Sequence, residues 1–310
     1  MSEPRFAKLA HQLREATAGA AWIQWQALGG QAAAPRAPQA IVDPEALVLV
    51  SLWLVDHQPR VRDFVAGFAE VGSRLLSVQR LKRALQLFPS DSGERMAGFA
   101  AQVASHGKDP RWKLLAGDAE TAAGRPGKVG PASTRLAEPG SLMLRLRTAF
   151  GVDVRTDTLA YLLGRRGAWA DVKDIADSLL YAKYSVRLAC EALADARFVT
   201  AGPDRPVRYY VEHRRWSTVL DLPDAPSWYP WVHVYSFGLR LEEWLRQPKL
   251  HGTSPALQAS LAREFMIEHG RPLTQLQLEV PDHRDHLGEA YLPAFEAAVK
   301  MLASWIAEHA

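Results

Sequence analysis

One cysteine among 310 residues, Cys190, excludes an internal disulfide and any metal site made of cysteines alone. Long apolar runs are lacking too. The longest, Ala46–Val55, is interrupted by Ser51 and covers about half of what a membrane-spanning helix needs. The first residues, MSEPRFAKLAHQLREATAG, are charged and contain no apolar stretch, so no secretory signal is expected and a cytoplasmic protein is. Charge is nearly balanced, 37 Lys and Arg against 34 Asp and Glu, for a net of +3. A generally polycationic chain is thereby excluded, and any contact with a polyanion has to be local.

Enzyme motifs are absent as well: there is no phosphate loop, dinucleotide fingerprint, nucleophile elbow or zinc-protease helix. His283 and His286 have a spacing that would put two ligands on one helical face. The Pro, Asp and Gly around them predict a loop instead, and no third or fourth ligand is near in sequence. No catalytic residue, metal ligand or cofactor is assigned, and the chain is not read as an enzyme.

What the chain does contain is 48% hydrophobic residues, in a length that suits two or three cores. In one central stretch, Val154–Val211, helical spacing gives way to turn formers and then to β-type residues. Leu159, Leu162 and Leu163 mark a first helix, with Gly164 placed to close it in the left-handed conformation. Val172, Ile175, Ala176 and Leu179 share one face of a second helix, read as running from Val172 to Tyr181. Ala182-Lys183-Tyr184 then reads as a tight turn, with Ser185 as the cap of a third helix. That helix carries Val186, Ala189, Cys190 and Leu193 inward and leaves Arg187, Leu188 and Glu191 outward. Arg197-Phe198-Val199 and Val207–Val211 read as two strands joined by Gly202-Pro203-Asp204-Arg205-Pro206.

This order resembles the winged helix-turn-helix transcriptional regulators of the MarR and ArsR type. The resemblance covers about a fifth of the chain and rests on pattern, through Ile175-Ala176, Ser185–Leu193, Phe198-Val199 and Tyr209-Tyr210-Val211. Such regulators usually place a glycine just before the apolar pair of the first strand, where this chain has Arg197. The resemblance implies double-stranded DNA as partner, with the third helix in the major groove and the hairpin as a wing against phosphates. It also implies a homodimer reading a two-fold site. The charge agrees: residues 141–215 hold 13 Lys and Arg against 9 Asp and Glu, or +4, so the positive excess sits here. Lys183, Tyr184, Ser185, Arg187 and Glu191 are the groove candidates, and Arg205 and Arg208 the wing candidates. The alternative is an antitoxin-like or defence-associated protein-interaction module, for which the same residues are a solvated face and Leu188 a contact.

The expected fold is mainly α, a central winged helix-turn-helix with a small β-hairpin wing flanked by helical domains. The boundaries read as an N-terminal helical domain over 1–120, a linker over 121–140, the winged helix over 141–215 and a C-terminal helical domain over 216–310. In the first, Asp43-Pro44-Glu45 is a helix start, and Ser77 caps a helix whose Arg80, Lys82 and Arg83 read as a solvated basic face. Gly29–Pro38 reads as a further linker. In the last, the aromatics from Trp216 to Trp244 suggest a core, an effector pocket or a dimer surface. Alternating Leu276, Leu278 and Val280 suggest a short strand.

Overall fold

A computed structural model describes residues 5–30, 40–107, 109–119, 136–222, 224, 226–282 and 284–310. The expected linker positions 31–38 and 121–135, and His283, lie outside the described residues. The chain is mainly helical, 70% helix against 3% strand. The helices in order are α1 (Arg5–Ala27), α2 (Pro44–Leu54), α3 (Pro59–Val71), α4 (Val78–Leu85), α5 (Ser92–Gly107) and α6 (Lys113–Ala116). Then come α7 (Leu142–Phe150), α8 (Val154–Gly164), α9 (Val172–Leu179), α10 (Lys183–Asp195) and α11 (His213–Leu220). The last are α12 (Trp231–Leu245), α13 (Pro248–His251), α14 (Pro255–His269), α15 (Arg271–Gln275) and α16 (Tyr291–His309). Three short strands, β1 (Ala170–Asp171), β2 (Thr200–Ala201) and β3 (Arg208–Tyr210), form one antiparallel sheet in the order β1-β3-β2.

The chain divides into two compact units. One comprises residues up to Ala21, Leu87–Pro89 and Val232–Ala310; the other comprises Trp22–Gln86 and Ser90–Trp231. In the first, Trp244 of α12 packs against Phe6, Phe265 and Phe295, with ring centroids 5.1–6.0 Å apart. Glu242 of α12 is buried in this unit, 3.1 Å from Arg14 Nε. Burial outweighs the attraction of Arg14 and Arg246 and pushes its carboxyl up to about 7. No strand forms over Leu276–Val280. The chain turns back there instead, with Gln277 at φ 58° and the Leu278 N–H donating to Leu273 O at 2.9 Å. The aromatics that are close in sequence belong to different cores: Tyr235, Phe237 and Trp244 to this unit, Trp216 and Trp228 to the other.

In the second unit α2 is buried on almost every side. Asp43 starts it as expected, its Oδ1 accepting from the N–H groups of Glu45 (3.1 Å) and Ala46 (3.2 Å). The extended residues before it are held on both sides, Ile41 N–H on Ser227 O and Val42 N–H on Gly140 O. Gly164 corrects the reading of it as a left-handed helix end: the left-handed positions come later, at Arg166 and Gly167. Its lack of a side chain serves close approach, because a Cβ there would lie 2.6 Å from Ile41 Cδ1 and 2.9 Å from Trp228 N. Its carbonyl accepts that same Trp228 N–H.

Candidate nucleic-acid interface

Helices α8, α9 and α10 bury one continuous core, with Leu159, Leu163, Ile175, Leu179, Val186, Cys190 and Leu193 among its members. The inward face of α10 is the one its spacing predicts. Burial pushes the Cys190 thiol up to about 12, which makes it inert. The helix starts earlier than the sequence suggested. Leu180, in the left-handed conformation, ends α9, and α10 begins at Lys183 after Ala182, so Ser185 lies inside the first turn and caps nothing. The reason is Tyr181, which is buried and donates its hydroxyl to Asp157 Oδ2 at 2.9 Å, confining the turn to Leu180–Ala182.

On the outward side Lys183, Tyr184, Arg187, Leu188 and Glu191 are exposed and Ser185 is half-buried. Tyr184, Arg187 and Glu191 form one stripe. The Arg187 guanidinium lies 5.2 Å from the Tyr184 ring centre and 3.4 Å from Glu191 Oε1. Each such surface contact contributes only ~0.2–1 kcal/mol, so Arg187 is extended along the helix yet easily released to another partner.

The strand expected over Arg197–Val199 lies further on, at Thr200–Ala201. Arg197 instead takes the left-handed conformation (φ 61°), filling with arginine the place where related regulators have glycine. The N–H groups of Phe198 and Val199 then fold back onto Leu193 O. In the hairpin that follows, Thr200 pairs with Tyr210 and Ala201 with Tyr209, and Gly202 N–H donates to Arg208 O at 2.8 Å. Alternation along β3 buries Tyr209 and leaves Arg208 outward. Arg205, at the tip, is exposed as well. Strand β1 and Trp169 beside it are features that sequence reading missed. Trp169 is 43% exposed and its ring lies 4.4 Å from that of Tyr210 on the hairpin's outer side. A lone tryptophan in the turn-rich Gly167-Ala168-Trp169 was the available signal.

Beneath this surface is a group of charges with essentially no solvent contact: Asp43, Glu45, Arg80, Arg147 and Asp157. Arg147 grips Asp157 with two bonds, 2.8 and 2.7 Å, and Glu45 with two more, 2.6 and 3.2 Å, and donates to Leu75 O at 2.7 Å. Arg80 donates to Asp43 Oδ2 at 2.5 Å and to Glu45. Burial alone would lower both guanidinium pKa values; the carboxylates more than offset it and hold both above the ordinary range. This corrects the reading of Arg80 and Arg83 as a solvated face, which applies only to Lys82. Arg80 Nε donates to Leu179 O and Arg83 Nη1 to Leu180 O, both at 2.8 Å. Two arginines of α4 thus hold the last carbonyls of α9, and with Tyr181 they fix the point from which α10 departs.

Among the described residues no group of three or more His, Cys, Asp or Glu side chains is placed to hold a metal ion, and no helix is long and apolar enough to cross a membrane. Comparison with family models, curated proteins and solved structures gave no match to this chain.

Proposed function

We propose that residues 141–215 are a winged helix-turn-helix that binds double-stranded DNA, in a transcriptional regulator that acts as a homodimer. The observation that carries this reading is the exposed stripe of α10, opened by Lys183 and continued by Tyr184, Arg187 and Glu191, followed directly by a hairpin that presents Arg205 and Arg208. In it α10 enters the major groove, where Arg187 and Glu191 face base edges, and the hairpin lies against neighbouring phosphates. Two copies related by a two-fold axis would read half-sites about one helical turn, ~34 Å, apart.

The test is an anisotropy titration of the full chain against a duplex selected from a random pool, repeated from about 50 to 200 mM salt. Arg187→Ala with Arg208→Ala is expected to weaken binding at least about tenfold and to flatten the slope of log K against log salt by roughly 1.8, two contacts at ~0.9 each. An unchanged slope would remove this surface from the duplex.

A second reading, the antitoxin-like or defence-associated interaction module, is favoured by apolar exposure in the same unit. Leu188 is 44% exposed on α10, and Phe150 and Phe198 flank a cavity of about 280 Å³. Under that reading the chain co-purifies with a protein partner and binds no duplex even at low salt.

A further inference from the structure

Resting on the duplex-binding reading, we infer that α4 belongs to the same nucleic-acid face as α10, with Lys82 and Arg83 as phosphate contacts. The two helices are about a hundred residues apart in sequence, and nothing in the order of the motifs connects them. The structure joins them through the bond from Arg83 Nη1 to Leu180 O. From Leu180 to Lys183, the first residue of α10, the chain advances three residues, at most about 10 Å.

Around α4, Arg80, Leu81 and Ala84 are buried, Arg83 is half-buried at the border, and Gln79, Lys82 and Gln86 are exposed. Gln79, Lys82, Arg83 and Gln86 fall at i, i+3, i+4 and i+7, so the polar stripe begins where α4 meets the turn before α10. No acidic residue interrupts it. The acidic side chains nearby in sequence, Asp174 and Asp177, belong to α9.

A helix seated in a groove about 12 Å wide has a phosphate strand close on either side. The hairpin, which follows the C-terminal end of α10, brings Arg205 and Arg208 to one strand. Helix α4, beside its N-terminal turn, brings Lys82 and Arg83 to the other. Arg83 has donors beyond the one given to Leu180, because a guanidinium carries five. The α10 helix is then bracketed by cations from two separate parts of the chain. Phosphate contacts of this kind raise affinity on every sequence and leave base preference alone.

The experiment uses the full chain and the same salt-series titration. Lys82→Ala, at an exposed position that touches none of the α9 carbonyls, is expected to lower the slope of log K against log salt by about 0.9. Gln79→Lys, on the same stripe, is expected to raise it by up to about 0.9. Both variants should keep the wild-type order of preference among selected duplexes. If Arg187→Ala with Arg208→Ala flattens the slope while Lys82→Ala and Gln79→Lys leave it unchanged, α4 is only a brace for the turn and the inference is overturned, with the reading of α10 intact. If the α4 variants change the slope and the α10 and hairpin variants do not, the shared face is overturned. If none of them changes it, the reading of α10 falls as well.

Discussion

Arg147→Met is expected to lower the stability of the unit that contains it by about 3–5 kcal/mol, a 10²–10³-fold shift toward the unfolded state. The reason is what the substitution leaves behind. Asp43, Glu45 and Asp157 together carry one more charge than Arg80 and Arg147 can neutralise, and all five are sealed from water. Without Arg147, the excess doubles in a site that cannot hydrate it, and the Leu75 carbonyl loses a donor. Asp157 is left with the Tyr181 hydroxyl at 2.9 Å and a guanidinium nitrogen of Arg80 4.0 Å away. Arg147→Lys should fail almost as badly. One ammonium cannot reproduce a two-pronged grip on Asp157 together with bonds to Glu45 and Leu75. Urea unfolding followed by far-UV circular dichroism checks this; a loss under about 1 kcal/mol would mean that the group behaves like a surface ion pair. Removing the whole network for apolar residues is a different experiment, since buried ion pairs specify an arrangement more than they stabilise it. Here the arrangement specified is the departure point of α10.

The second large effect is one of pH. Glu242 titrates at about 7 in the folded chain, against 4.5 for an ordinary glutamate, because its carboxyl is buried. Between those two values the unfolded chain has released the proton while the folded chain still holds it, so unfolding becomes easier as pH rises. Each pH unit in that window removes about 1.4 kcal/mol, about 3 kcal/mol in all, and above pH 7 the loss is complete. Stability contributed by this group is therefore full near pH 4.5 and gone by pH 8. Amide exchange along α12, measured from pH 5 to 8 and corrected for intrinsic rates, should show opening that becomes easier across this window. In Glu242→Gln that dependence should disappear. A wild-type profile as flat as the variant's would show Glu242 ionised throughout, with Arg14 as its counter-charge.

The helices were largely legible in the sequence, because an apolar stripe is a local signal. The inward set of α10, Val186, Ala189, Cys190 and Leu193, could be read from four residues and is the set that is buried. So could the start of α2 at Asp43-Pro44. What could not be read depends on partners distant in the chain. Arg80 looks like any helix-surface cation until Asp43 and Glu45, more than thirty residues away, are placed against it. Gly164 looks like a helix stop because nothing nearby reveals that Trp228 will press on it. The start of α10 was misplaced for the same reason: Ser185 is a good cap by type, but the anchoring of Tyr181 on Asp157 had already spent the turn. The short strands escaped in part because a two-residue strand such as β1 has no periodicity to detect. Arg197 shows the opposite case, a left-handed position held by a residue that composition alone would never nominate.

The most direct test of the central claim places a reporter on α10 itself. The native thiol is buried and unreactive, so Leu188→Cys offers one accessible cysteine, on the outward face, for a short photo-crosslinker. With the selected duplex bound and irradiated, the account predicts crosslinks from this position to bases, and none from Leu114→Cys on α6, which is equally open to solvent when free. Duplex that binds with full affinity yet crosslinks no better from position 188 than from position 114 would contradict it.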